Sequence, residues 1–380
     1  MGKSTNFTGQ PIFNQIIKFI DKVEIKRISR EHQADRYVKK FSTYNHLIVM
    51  LFVAFEGYHS IREVITGLLA NSQRLIHLGL SYIIKRSTFS EANQRRSSQV
   101  FGDIYMSVYR RYGSSLADSR LSNIDLKRLF IMDATTVSLF SVILKGAGRN
   151  PKQGKKKGGI KAHTIINASE DVPCLVRYSE AAVNDHMFLK EAMSLEPGSI
   201  ITFDKGYVAY SKYQEFTERS IWYVTRLRER AIYEARKEFS IPDGCASKVR
   251  KDEEITLAHG EKKAQIHRSR HIVYWDSENS RLFDFITNNF ELTAEQIAQI
   301  YKKRWQIETL FKRIKQNFPL KYFLGDNQNA IEIQIWAAML ANLLITLVKN
   351  QVKRKWAFSN LVSLVRQQLM NYIDISVVGT

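Results

Sequence analysis

Three carboxylates stand where folding alone gives little reason for them. Asp133 follows the apolar run Leu129-Phe130-Ile131-Met132, and Asp204 follows Ile200-Ile201-Thr202-Phe203. Each therefore lies within or at the end of a run that reads as a buried strand. A buried carboxylate is costly unless a cation or hydrogen-bond donors neutralise it. The alternative is that each Asp simply ends its strand in a turn. The third acid, Glu308, lies on a basic helix expected from about Ala294 to Gln316, capped by Thr293-x-x-Gln296 and stopped by Pro319. At about 100° per residue, Tyr301, Arg304, Glu308 and Lys315 fall within an arc of about 60°. Such a face could be an active-site wall. It could equally be a solvated face laced with salt bridges, because Arg304 and Lys312 flank Glu308 at four residues on either side.

The elements that must hold these acids are legible in outline. Short β-type runs cover Leu129 to Leu139, Ile160 to Ala168, Val172 to Glu180, Ile200 to Phe203 and Ile221 to Leu227. Helical stretches follow Asn184-Asp185 and span Tyr210 to Arg219, so the pattern is an α/β layer with a mixed sheet. Residues 228–285 interrupt it with a charged, turn-containing segment and strand-like runs from His271 to Trp275 and Leu282 to Thr287, which suggests a β-rich insertion. In the helix, Ile300, Ile307, Leu310, Phe311, Ile314 and Phe318 form an apolar stripe beside the polar arc. Burying that stripe on the sheet would aim Glu308 along its edge.

Helical regions flank this layer. From Phe13 to about Ser122 the chain is helical, with capping boxes at Ser60-x-x-Glu63 and Thr88-x-x-Glu91. Its basic clusters, Lys26-Arg27-Arg30, Lys39-Lys40, Arg95-Arg96 and Arg110-Arg111, could contact phosphates or form ordinary solvated faces. Residues Ala330 to Ile373 are helical again. The apolar runs Leu47 to Phe55 and Ile335 to Val348 fall short of a membrane span and read as buried helices, and the polar start lacks the core of a signal peptide. No membrane role is expected.

The 380 residues carry 57 Lys and Arg against 37 Asp and Glu, a formal net charge of +20. A polyanionic partner, most simply nucleic acid, is the direct implication. Cys174 and Cys245 are far apart in sequence and lack a metal-binding spacing, which argues against a disulfide framework or a structural zinc. His163 and His186 read as structural histidines. Lys155-Lys156-Lys157 lies in a basic loop that could track a DNA strand or simply be solvated.

The spacing Tyr301-x2-Arg304-x3-Glu308-x6-Lys315 resembles the signature of the insertion-sequence family-four transposases, which surrounds the third acid of a DDE triad. Asp133-Ala134-Thr135-Thr136 and Asp204-Lys205-Gly206-Tyr207 resemble the family's first and second acid motifs. Lys205 replaces the usual Arg and keeps its charge. The resemblance covers about residues 125–325.

It implies an RNase H-like core in which Asp133, Asp204 and Glu308 bind two Mg²⁺ ions, with Mn²⁺ as a substitute. It implies a cut-and-paste transposase that binds terminal inverted repeats, cleaves them, through a hairpin on the second strand, and transfers the 3′ ends to target DNA. Tyr301, Arg304 and Lys315 would hold phosphates, with Lys312 grouped with them as a DNA contact. Phe283 or Trp275 would stack on a flipped base. The domain plan that follows is a helical DNA-binding region at 1–125, a catalytic core at 126–227 and 286–325, an insertion at 228–285, and C-terminal helices at 326–380 that complete the core or dimerise. A homodimer is implied when two ends are paired, in the nucleoid-associated cytoplasm of a bacterial cell. A catalytically inactive DNA-binding protein and an RNase H-like nuclease without strand transfer are the alternatives.

Overall fold

The apolar run before Asp133 opens strand β1 (Leu129–Ser138), which continues past that residue, and among the described residues eight more strands follow. They are β2 (Gly159–Asn167), β3 (Pro173–Glu180), β4 (Ile200–Phe203), β5 (Trp222–Arg226), β6 (Glu234–Glu238), β7 (Val249–His259), β8 (Gln265–Asp276) and β9 (Arg281–Thr287). The computed structural model describes residues 9–116, 128–138, 159–241, 248–260 and 265–377. The Lys155-Lys156-Lys157 loop and Cys245 lie outside the described residues.

All nine strands join one mixed sheet in the order β3-β2-β1-β4-β5-β9-β8-β7-β6. β1 and β4 are parallel, as are β4 and β5, whereas β5–β9, β9–β8, β8–β7 and β7–β6 are antiparallel. The insertion therefore extends the sheet through β9. Its strands β6 and β7 escaped the sequence reading because charged residues dominate them (Val249-Arg250-Lys251-Asp252-Glu253-Glu254). At the sheet's edge, β6 exposes all five of its residues, Glu-Ala-Arg-Lys-Glu, and that charge protects an open edge from further pairing.

Alternation along the strands sorts the two faces. Met132, Ile201, Phe203, Tyr223 and Ile286 enter an apolar core with Tyr213 and Phe216 of helix α8 (Tyr210–Glu218) and with Phe188 and Leu189 of the 3₁₀ helix Asp185–Ser194. His163 is buried there, stacked on Phe188 at 4.9 Å and hydrogen-bonded to Ser179 at 2.8 Å, a structural role.

The chain divides into two compact units, and the sheet belongs to the one made of Asp118–Thr136 and Lys161–Leu310. The other comprises Met1–Ala117, Val137–Ile160 and Phe311–Thr380. Its helices include α1 (Ile12–Ile17), α2 (Lys22–Glu31), α3 (Thr43–Glu56), α4 (Ile61–Ala70), α5 (Ser72–Leu75), α6 (Arg86–Arg95) and α7 (Ser98–Leu116). Toward the C-terminus follow α11 (Gln328–Gln351) and α12 (Phe358–Gln368). By length and composition α11 could cross a membrane, but 89% of its apolar window is buried, packed on α3, α7 and α12. Asn329 at its start ties it to the α6–α7 junction, accepting from Ser98 N–H and donating to the carbonyls of Asn93 and Arg96.

Among the basic clusters, Arg96 is no phosphate contact. It is buried, donates to the Phe41 carbonyl and pairs with Asp35 at 3.2 Å. Arg27, Arg95 and Arg111 are exposed but paired with Glu24 and Glu31, Glu91 and Asp21 respectively.

Candidate active site

Met132 of β1 lies beside Phe203 of β4 in parallel register, the last of four consecutive pairs. Both side chains belong to the apolar core, so the residues that follow, Asp133 and Asp204, turn to the opposite face. Strands in a sheet lie about 4.8 Å apart, so the two carboxylates start from neighbouring backbones. Asp204 also begins a tight turn. Its Oδ2 accepts from Gly206 N–H at 3.4 Å, and its carbonyl accepts from Tyr207 N–H at 3.1 Å.

The third acid arrives on a helix that is not continuous. The expected helix from Ala294 to Gln316 is two, α9 (Ala294–Lys303) and α10 (Trp305–Asn317), joined at Arg304. There the backbone tightens, with Arg304 N–H donating to the Tyr301 carbonyl at 3.0 Å and Ile307 N–H to the Arg304 carbonyl at 3.3 Å. Such i to i−3 bonds in a long helix make a local kink and often mark a functional position. The Thr293–Gln296 capping box is present as expected.

Side chains at this break reach the two aspartates of the sheet. The Tyr301 hydroxyl donates to Asp204 Oδ1 at 3.4 Å. Arg304 reaches two acids, with Nη2 at 2.8 Å from Glu308 Oε1 and Nη1 at 3.7 Å from Asp133 Oδ2. Asp133, Asp204, Tyr301, Arg304 and Glu308 are thus gathered in one place. Lys312 and Lys315 lie farther along α10, both exposed, in the part of the helix assigned to the other unit.

Burial pushes the Asp133 carboxyl up to about 6; the Ala134 N–H and Arg304 pull it down, and Glu308 and Asp204 push it up. A cation among the three acids would relieve this cost, and carboxylates are the hard oxygen donors that Mg²⁺ prefers. Among the described residues, however, no three metal-ligating side chains close around one point. The Arg304 guanidinium supplies the positive charge between Asp133 and Glu308. The donor set fits a divalent ion, provided Arg304 yields Glu308 to it.

The two aromatic candidates part company. Trp275 pairs with Leu282 across β8 and β9, and Phe283 pairs with Tyr274, so Trp275 and Phe283 project to opposite faces. Phe283 is on the acid side, stacked on Phe285 at 5.4 Å and tilted against Tyr301 at 6.2 Å. The guanidinium of Arg281 lies 4.4 Å from the Phe283 ring centre and that of Arg226 lies 5.0 Å from it.

Two neighbours of the acids escaped sequence reasoning. Trp305, beside Arg304, is 63% exposed, unusual for so large an apolar ring. Its position three residues before Glu308, neighbours on a helix, was an available signal. Arg226 ends β5 in a run, Thr225-Arg226-Leu227-Arg228, that looks like a solvated strand end, and only strand register reveals its place.

Residues 125–344 match the family described as Transposase DDE domain, and residues 8–81 match a domain of unknown function (DUF4372). The chain is 27% identical over 292 residues to the Sinorhizobium fredii protein y4zB, named as a transposase, covering 76% of this chain and 78% of that one. It is 25% identical over 242 residues to the Geobacillus stearothermophilus protein named as transposase for insertion sequence element IS5377, covering 63% and 62% respectively. Against the Synechocystis protein named as transposase for insertion sequence element IS4SA it is 24% identical over 264 residues, covering 69% and 71%. A weaker likeness, TM-score 0.42 with 11% identity over 96% of this chain and 78% of the other, links it to a structure of the piggyBac transposase synaptic complex with hairpin DNA.

Proposed function

This chain belongs to the transposases with a DDE domain, in keeping with its resemblance to insertion-sequence family four, and from that premise we propose that Asp133, Asp204 and Glu308 are its catalytic acids. The reading rests on one observation above all, that Asp133, midway along β1, and Asp204, just past the end of β4, follow the last register pair of two adjacent parallel strands while Arg304 links Asp133 to Glu308. The activity is cut-and-paste transposition: cleavage at terminal inverted repeats, then joining of the freed 3′ ends to target DNA.

Asp133, Asp204 and Glu308 would hold two Mg²⁺ ions, or Mn²⁺ in their place, which supply an activated water and stabilise the leaving 3′ oxygen. Arg304 keeps Asp133 and Glu308 from repelling each other before DNA arrives, then exchanges a carboxylate for a backbone phosphate that its planar fork matches. Tyr301 orients Asp204 through its hydroxyl and, once DNA is bound, turns that one proton from Asp204 to a backbone phosphate. Lys312 and Lys315 would add point charges along the DNA backbone.

We read second-strand cleavage as proceeding through a hairpin, which requires a base to leave the stack and find an open aromatic face. Trp305 offers such a face. Phe283 is already packed against Phe285, and Trp275 points away from the acids. Because α11 has its apolar surface buried within its own unit, the C-terminal helices complete that unit's core, and a homodimer in the paired-end complex would use other surfaces. Its work would be done on the nucleoid of a bacterial cytoplasm.

The test is Glu308→Gln, incubated with the element's own ends and Mg²⁺. Nicking, hairpin and joined products should all disappear while end binding persists. Normal cleavage by that variant would sink the assignment.

A further inference from the structure

The carboxylates of Asp133, midway along β1, and Asp204, just past β4, do not stand alone on their face of the sheet. Thr202 of β4 pairs with Val224 of β5. Two residues on, the same register sets Arg226 level with Asp204. Thr225 supports that alignment by donating its hydroxyl to the Phe203 carbonyl at 2.8 Å. On its other side Arg226 pairs with Phe285 of β9. Four adjacent strands thus present Asp133, Asp204, Arg226 and Phe285 in one row, on the face where Tyr301 reaches Asp204.

Arg304 is held by Glu308 through its Nη2, although its Nε too is buried without a hydrogen-bond partner. Arg226 is half-buried, and its Nε is buried without a hydrogen-bond partner. An unmade bond on a buried donor is expensive and marks a group that a ligand can complete. Its guanidinium is set over the Phe283 ring at 5.0 Å, and Phe283 in turn rests on Phe285 and Tyr301. A stacked guanidinium has its rotamer restricted, so less freedom is lost when its fork meets an anion.

We propose that Arg226 binds a backbone phosphate of the DNA strand on the Asp204 side of the acids, and that Phe283 is the platform that holds Arg226 in place rather than a base-stacking ring. The strand is then gripped on two sides. Arg304 approaches from the helix, between Asp133 and Glu308, and Arg226 from the sheet, beyond Asp204. The inference rests on the proposed active site, but its test reads binding and does not depend on cleavage.

The experiment measures binding to a duplex carrying the element's terminal repeat, with each phosphate near the cleavage point replaced in turn by a neutral methylphosphonate. For the unaltered protein, one replacement on the Asp204 side should cost about tenfold in affinity, the size of a charge-assisted hydrogen bond. In Arg226→Ala that same replacement should cost nothing further, while the cost at phosphates bound by other residues is unchanged. Phe283→Leu should shrink the effect at that one phosphate. If Arg226→Ala retains the full profile at every phosphate, with its thermal midpoint intact, the proposal is overturned. Should Arg226→Ala fail to fold, Arg226→Lys keeps the charge and loses the fork. It must then show a reduced cost at that phosphate, and a profile equal to that of the unaltered protein overturns the proposal. Glu308→Gln, run alongside with Mg²⁺, separates the two ideas. Persistent nicking there refutes the active-site reading, whereas its loss with an unaltered Arg226→Ala profile refutes this inference alone.

Discussion

Met132 of β1 and Phe203 of β4 are paired in parallel register, and the residue after each is an aspartate. That relation places two carboxylates at one point of the sheet although they lie far apart in sequence. Removing either should therefore act on the same step. Asp133→Asn and Asp204→Asn should each lower Mg²⁺-dependent nicking by about a thousandfold, the equivalent of several kcal/mol of lost charge stabilisation. The double variant should be no worse than the poorer single one, because the two act as a unit. Multiplying losses in a nicking assay would show that they act separately.

Asp133 also sets a pH dependence on the metal-free protein. Its carboxyl is pushed by burial from an ordinary value of 3.8 to about 6, so the folded chain holds this proton more tightly than the unfolded one. Stability from this source is present below pH 3.8, falls as pH rises through the window, and is gone above 6. The shift is worth roughly 3 kcal/mol at most. Asp133→Asn, measured in EDTA, should raise the thermal midpoint at about pH 8 and lose that advantage near pH 4. An equal or lower midpoint at the higher pH contradicts this account.

Arg304 bonds Glu308 and approaches Asp133, so its loss has two consequences. Arg304→Ala should reduce the salt slope of end binding by about one, as expected when one phosphate contact goes. It should also leave two carboxylates without their shared cation, which added Mg²⁺ can partly offset by raising the thermal midpoint. Salt titrations with an unchanged slope would remove Arg304 from the phosphate contacts.

His271 offers a second pH signal, away from the acids. It bridges Glu253, wholly buried, at 2.8 Å and Asp284 at 3.2 Å. Burial pulls its pKa down, but hydrogen bonds to Asp284 and Glu253 outweigh that and raise it above 6.5. Its stabilisation is therefore complete below pH 6.5 and is lost as pH climbs through the raised value. His271→Ala should destabilise the sheet by about 3 kcal/mol or more, because Glu253 would keep a buried charge that, among the described residues, Lys251 at 2.9 Å alone would answer. Urea unfolding at about pH 6 and about pH 9 checks both points: the gap between the variant and the unaltered protein should narrow at the higher pH.

Much of the site was legible in the order of the amino acids. The apolar runs before Asp133 and Asp204 dictate buried strands, because side chains alternate and four such residues can be satisfied only inside a core. The angular grouping of Tyr301, Arg304 and Glu308 follows from helical geometry, and it survives a break in the helix because the tightened turn at Arg304 shifts the backbone only locally. The insertion was harder. β7 reads as charged because Asp252 and Glu253 are paired with Arg270 and His271 on the neighbouring strand, and no periodicity reveals a partner that far along the chain.

By itself the sequence determined which residues could do chemistry, the strands and helices that carry them, and the basic character that calls for DNA, since all three follow from local pattern and composition. Tertiary structure alone decided the rest. Register between separated strands put Asp133 beside Asp204 and Arg226 beyond them, and pleating sent Trp275 and Phe283 to opposite faces. Those relations depend on hydrogen bonds between distant segments, where a slip of one residue would turn every side chain to the other face.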